Sequence, residues 1–146
     1  MVYTAIDIAK YVITYCTEKR KPVSNLKLQK MLYYLWIEYY SRTKDFLFAD
    51  DICAWQFGPV VPNAYYEFCF YAGIPIVARF ENNIDKRDIE IIKPIIDSYI
   101  PVPASTLVNK SHRDGGAWDA IYQNGVGNRN IIPFSLIQKK ECCTEC

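Results

Sequence analysis

The segment from Asn25 to Arg42 constrains this chain most, because one helix written there would be apolar on two adjoining faces. Leu28, Met31, Leu32, Leu35, Trp36 and Tyr39 recur at helical spacing and make one stripe. Tyr33, Ile37 and Tyr40 make a second stripe beside it. A helix with so much aromatic surface is stable in water only when other elements cover it from several sides. The fold expected is therefore mainly α: a compact helical domain around a central long helix, with a small antiparallel β element.

The remaining elements read outward from that helix. Thr4 and Asp7 make a variant capping box for a helix over about residues 5–18, which Pro22 follows. Ser24 caps the central helix. Ile52 to Phe57 has strand composition, and Gly58-Pro59 is read as the corner that ends it. Pro62 pre-sets the first turn of an aromatic helix over 63–71, with Gly73 as its stop. Residues 74–80 suit a short strand or extended arm. Asp85 opens another helix, in which Pro94 either introduces a kink or starts a second helix. Shorter helices are expected near 105–110, 117–122 and 133–140, and Ile131-Ile132 is placed to pair with a strand.

With 146 residues, 51% of them hydrophobic and 23% charged, the chain is expected to form one domain over 1–141 that buries ~68% of its unfolded surface. The net charge of +1 argues against wholesale nucleic-acid electrostatics. Its distribution is uneven. Residues 1–42 have a balance of +4 and residues 43–100 one of −4, as two differently solvated faces would. Lys19, Arg20, Lys21, Lys27 and Lys30 are read as a solvated basic helix end, with nucleic acid unlikely as a partner. No long apolar run and no signal-like N-terminus are seen, so a cytoplasmic protein without a membrane anchor is expected.

Six cysteines without an export signal suit reduced thiols. Cys16, Cys53 and Cys69 lie in apolar stretches and are expected to pack as small hydrophobes. Residues 142–146 are read as a Cys-rich flexible tail with exposed thiols. Cys143 and Cys146 have metal-pair spacing, but no second pair follows and His112 is the only histidine, so no metal and no cofactor is expected. His112 could be combined with Cys53, Asp51 or Asp114 as a hydrolase. No glycine-flanked nucleophile supports that, and no catalytic residue is assigned. Ser111-His112 is read instead as capping or pinning the helix that carries Trp118.

Three patches taken together resemble a known family. They are Leu28-Gln29-Lys30-Met31-Leu32-Tyr33-Tyr34, the run Ala54-Trp55 through Gly58-Pro59-Val60-Val61-Pro62 to Tyr65, and Ser111-His112 with Trp118. The chain resembles the Panacea domain, also called SocA-like and earlier labelled phage-associated, over about residues 5–138. Met31, Ser111 and Gly115-Gly116 depart mildly from the usual leucine, threonine and proline. Some members carry an extra N-terminal DNA-binding module, and none is read here. The resemblance implies a non-enzymatic antitoxin, encoded on a bacterial or prophage genome beside a toxin that it neutralises by direct protein–protein binding. One branch of the family instead delivers its toxin to a protease, so a proteolytic adaptor is one alternative and a nucleic-acid-binding regulator the other. Neither the toxin nor the oligomeric state follows from the resemblance.

Within that reading Gln29, Trp55, Gly58, Pro59, Pro62, His112 and Trp118 are motif and structural residues, and Trp55, Phe57, Gly58, Pro59 and Pro62 are expected to hold the core. Trp55→Ala is expected to cost ~3–5 kcal/mol. Partner contact is placed on tyrosines, because twelve of them exceed what so small a domain seals away with satisfied hydroxyls. Tyr33, Tyr34, Tyr40, Tyr65, Tyr66 and Tyr71 are the candidates for an exposed aromatic patch, set against an ordinary half-buried helix face.

Overall fold

The computed structural model describes residues 2–142. Helix α1 (Ala5–Glu18) begins with both halves of the capping box made, Thr4 Oγ1 accepting from the Asp7 N–H at 3.1 Å and Asp7 from the Thr4 N–H at 3.3 Å. Helix α2 (Asn25–Thr43) starts at the Ser24 cap and stops where Lys44 turns left-handed at φ 63. Every residue from Leu28 to Ile37 is buried, which is the all-round cover its sequence demanded. That cover comes from α1, α3 (Pro62–Phe68), α4 (Lys86–Tyr99), α5 (Ala104–Ser111), α7 (Phe134–Glu141) and strand β2 (Gly58–Val60). Helix α6 (Ala117–Tyr122) packs on α7 and on β1 (Cys53–Trp55).

The two strands form one antiparallel hairpin, with Trp55 opposite Gly58, Ala54 opposite Pro59 and Cys53 opposite Val60. Its turn falls on Gln56-Phe57, so Gly58-Pro59 opens the return strand instead of ending the first. Pro59 is tolerated there because it faces Ala54, whose own N–H and C=O point away from β2 to Asn130 O (2.8 Å) and to the Arg129 N–H (2.6 Å). At such a position a proline removes no bond of the hairpin. Residues 129–132 thus line the outer edge of β1, with Ile131 bridging Cys53. Pro62 is the first residue of α3.

Pro94 lies inside one continuous α4. Residues 74–80 form an arm and not a strand. Ile76 bridges Val23, and the hydroxyls of Thr14 and Thr17 on α1 accept from the N–H groups of Phe80 (2.8 Å) and Ala78 (3.3 Å). The stop after the 3₁₀ turn Cys69–Tyr71 is Ala72, at φ 55, and not Gly73.

Other expectations need correction. Cys142 is buried and packs against α2, its thiol 3.7 Å from Ile37 O, so it belongs to the core and not to an exposed tail. Cys143 and Cys146 lie outside the described residues. Cys69 is exposed. Lys30 is 0% exposed and belongs to the packed interior, while the half-buried Lys27 donates its ammonium to Ile100 O at 2.6 Å, so neither is part of a freely solvated helix end. Among the described residues no helix is long and apolar enough to cross a membrane.

Candidate functional site

The hairpin, the start of α2, α3 and the loop 128–129 enclose an open cleft of about 440 Å³. Its walls are set by a chain of amide bonds that starts on α2. Gln29, buried, accepts from the Val61 N–H at 2.9 Å and donates to Asn25 at 3.0 Å, and Asn25 donates to the Tyr65 carbonyl at 3.1 Å. The junction between β2 and α3 is thereby held to the central helix, which aims α3 and its two tyrosines at the cleft. The sequence marks Gln29 as part of a pattern; its Val61 partner, 32 residues away, is visible only in the fold.

Below the cleft three residues meet that are distant in sequence. Lys30 Nζ donates to Pro59 O at 3.0 Å. A Cβ placed on Gly58 would stand 2.5 Å from Ser111 Oγ and 2.8 Å from Lys30 Cε, and Gly58 has φ +107. Glycine is therefore required twice, for its backbone angle and for the close approach. Burial pushes the Lys30 amine down to about 7.

Beside this lies a stack. His112 packs face to face on Trp118 at 3.8 Å, Trp118 stacks on Tyr122 at 4.5 Å, and the Trp118 indole N–H donates to the Trp55 carbonyl at 2.8 Å. His112 thus pins α6 by stacking, and Trp118 ties α6 to β1. Burial, and secondarily the Lys30 charge, lower the His112 pKa. Its Nε2 has no hydrogen-bond partner, so no nucleophile is paired with it. Among the described residues no group of three or more His, Cys, Asp or Glu is placed to hold a metal.

The six candidate tyrosines divide sharply. Tyr33 and Tyr34 are buried and present no patch. Tyr33 is sealed with its hydroxyl unpartnered, while Tyr34 stacks on Tyr99 at 5.6 Å under Lys110 at 4.4 Å. Tyr40 stacks on Trp36 at 5.6 Å, and Tyr71 lies against Phe70 and the core. Only Tyr65 and Tyr66 reach the cleft region, edge to face at 5.4 Å, and each sits against Trp55. Four other tyrosines have their hydroxyls satisfied inside the domain by carboxylates. Asp88 accepts from both Tyr3 and Tyr39, Asp97 from Tyr15 and Glu38 from Tyr99. Three of these four pairs span sixty or more residues, and nothing in the sequence signals them.

The corner is also more open than expected. Phe57 is 59% exposed at the hairpin tip and Trp55 is only partly buried. The outer face of Trp55 is covered by the exposed Arg129, whose guanidinium sits 4.1 Å over the ring and donates to Tyr66 Oη at 3.3 Å. Arg129 was not singled out from sequence, where it stands in a glycine- and asparagine-containing loop. Leu26 and Tyr66 are exposed as well; Leu26 lines the opening with Phe57, and Tyr66 lies against the Trp55 wall.

Comparison with known proteins adds two findings. The family described as "Antitoxin SocA-like, Panacea domain" matches residues 28–119, a span that holds α2, the hairpin, α3, His112 and Trp118. A protein named Antitoxin SocA, from Caulobacter vibrioides (strain NA1000 / CB15N), is 36% identical over 135 residues, covering 81% of this chain and 69% of that protein. No solved structure matches.

Proposed function

This chain belongs to the SocA-like Panacea antitoxin family, and from that premise we propose that it neutralises a toxin by binding it directly, as a single domain over residues 1–141. The observation that carries the binding reading is the pair of exposed apolar side chains Leu26 and Phe57 lining an open cleft, with the exposed Tyr66 against its Trp55 wall. Exposed aromatic side chains gathered about a concave surface are what protein interfaces use as anchors.

The test is co-expression with the product of the neighbouring reading frame. Growth arrest by that product alone, rescue by this chain, co-elution of the two proteins and an unchanged toxin level together support neutralisation by binding. A toxin level that falls in pulse-chase when this chain is present replaces it with delivery to a protease. A harmless neighbour removes the antitoxin reading.

A further inference from the structure

The cleft has an unbalanced charge. Lys30 and Arg129 line it, and no aspartate or glutamate does. Lys30 is fully buried, yet its ammonium has a single hydrogen-bond acceptor, the Pro59 carbonyl, for three N–H donors. Among the described residues no carboxylate comes within ion-pair distance of either cation. Arg129 spends one face on Trp55 and one donor on Tyr66, leaving most of its five donors for a planar anion. An unpaired buried cation is costly to hold. A carboxylate entering from the open side would supply the missing counter-charge.

The backbone excludes one mode of entry. Ala54 is bonded to residues 129 and 130, Pro59 has no N–H and its carbonyl holds Lys30, and the Val61 N–H is held by Gln29. The hairpin therefore offers no row of free groups for an added strand, and an occupant must be held through its side chains. A volume of about 440 Å³ is in the range of small ligand sites. It suits a few side chains and not a whole helix.

We propose that this cleft takes a short apolar segment of the toxin through one Asp or Glu side chain, which pairs with Arg129 above the sealed Lys30 amine while its apolar neighbours rest on Phe57, Leu26 and Tyr65. The inference rests on the toxin-binding reading and specifies its chemistry. Arg129, stacked on Trp55, is the recognition residue at the mouth, and the buried Lys30 amine lies beneath the floor.

The test uses the intact chain and random twelve-residue peptides displayed with their C-termini blocked. Selected peptides are expected to share one acidic residue flanked by apolar ones. Their affinity, read by fluorescence anisotropy, is expected to fall at least tenfold on Arg129→Gln, and equally when the acid is replaced by its amide. Combining the two changes should cost little more than either alone. Arg129 is exposed, so this variant keeps its fold, which thermal unfolding checks; Lys30→Met is the second probe of the same charge. Selection of peptides without an acid, or failure to select any, overturns the proposal, as does affinity indifferent to Arg129→Gln. Displacement of the peptide by an equal concentration of single-stranded oligonucleotide would reassign the cleft and overturn it too. In the co-expression assay, a wild-type chain that rescues alongside an Arg129→Glu chain that rescues equally well sinks the cleft proposal and leaves the antitoxin reading standing. Acid-selective peptides combined with a harmless neighbouring protein do the reverse.

Discussion

Trp36 and Trp55 are the same side chain in opposite settings. Trp36 is 0% exposed, its indole N–H donates to Phe48 O at 3.0 Å, and its ring is stacked between Tyr40 at 5.6 Å and Phe134 at 5.0 Å. Trp55 has Tyr65 at its edge, but its outer face carries only an exposed arginine. Every surface of the first is closed by protein, from its own helix and from other elements. The second is closed on one side and open to a partner on the other. An aromatic residue thus serves core or surface according to what the fold lays across its faces, and the two tryptophans divide the molecule into a sealed centre and an available cleft.

The largest expected effect tests that division directly. Trp36→Ala should cost about 3–5 kcal/mol in urea unfolding. Trp55→Ala should cost about 1–3 kcal/mol, less than a buried tryptophan would imply, because part of its surface is already in water. Equal losses would erase the distinction. Next comes the boundary between the two regions. Gly58→Ala places a methyl group against Ser111 and Lys30 at φ +107 and should cost about 1–3 kcal/mol. Gly73→Ala, whose new Cβ meets nothing within 4 Å, should shift stability by under about 0.5 kcal/mol.

A pH series sharpens the assignment of Lys30 to the sealed side. Unfolded, its amine keeps the proton to about pH 10.4; folded, burial lowers its pKa to about 7. Between those values the unfolded state binds more protons, so this group makes stability rise with pH, by about 1–2 kcal/mol from pH 7 to 8.5. Lys30→Met should flatten that rise. His112, with its lowered pKa, acts in the same sense below about pH 6.5. Cys16, its thiol pushed up to about 11 by burial, opposes the trend once unfolded thiols ionise above about pH 8.5. Profiles of the two proteins that superimpose would show that Lys30 stays charged in the fold. The buried tyrosines give a paired test on the sealed side. Tyr33→Phe removes a hydroxyl that has no partner and should change stability by no more than about 0.5 kcal/mol, or raise it. Tyr99→Phe loses the bond to Glu38 and should cost about 1–2 kcal/mol.

Much of the framework was legible because its causes are local. The Thr4–Asp7 box, the Ser24 cap and Pro62 at the start of α3 each act within one helical turn, and they place the starts of α1, α2 and α3 within a residue of where the pattern puts them. The hairpin was half legible. Gly58-Pro59 reads as a breaker until the outward-facing backbone of Ala54 shows that a proline costs nothing opposite it. Lys30 was misread for a related reason. Its position near a helix start and beside other basic residues suggests solvent, and only the approach of β2 at Gly58 closes over it.

The sequence alone determined that a helix with two apolar faces must sit at the centre and where the first three helices begin, since periodicity and capping need no more than the neighbouring turn. Which tyrosines face a partner, and that Arg129 meets Trp55 across 74 positions of chain, only the tertiary structure decided. Those contacts join side chains from separate elements, and no local preference carries information about what will be packed on the other side.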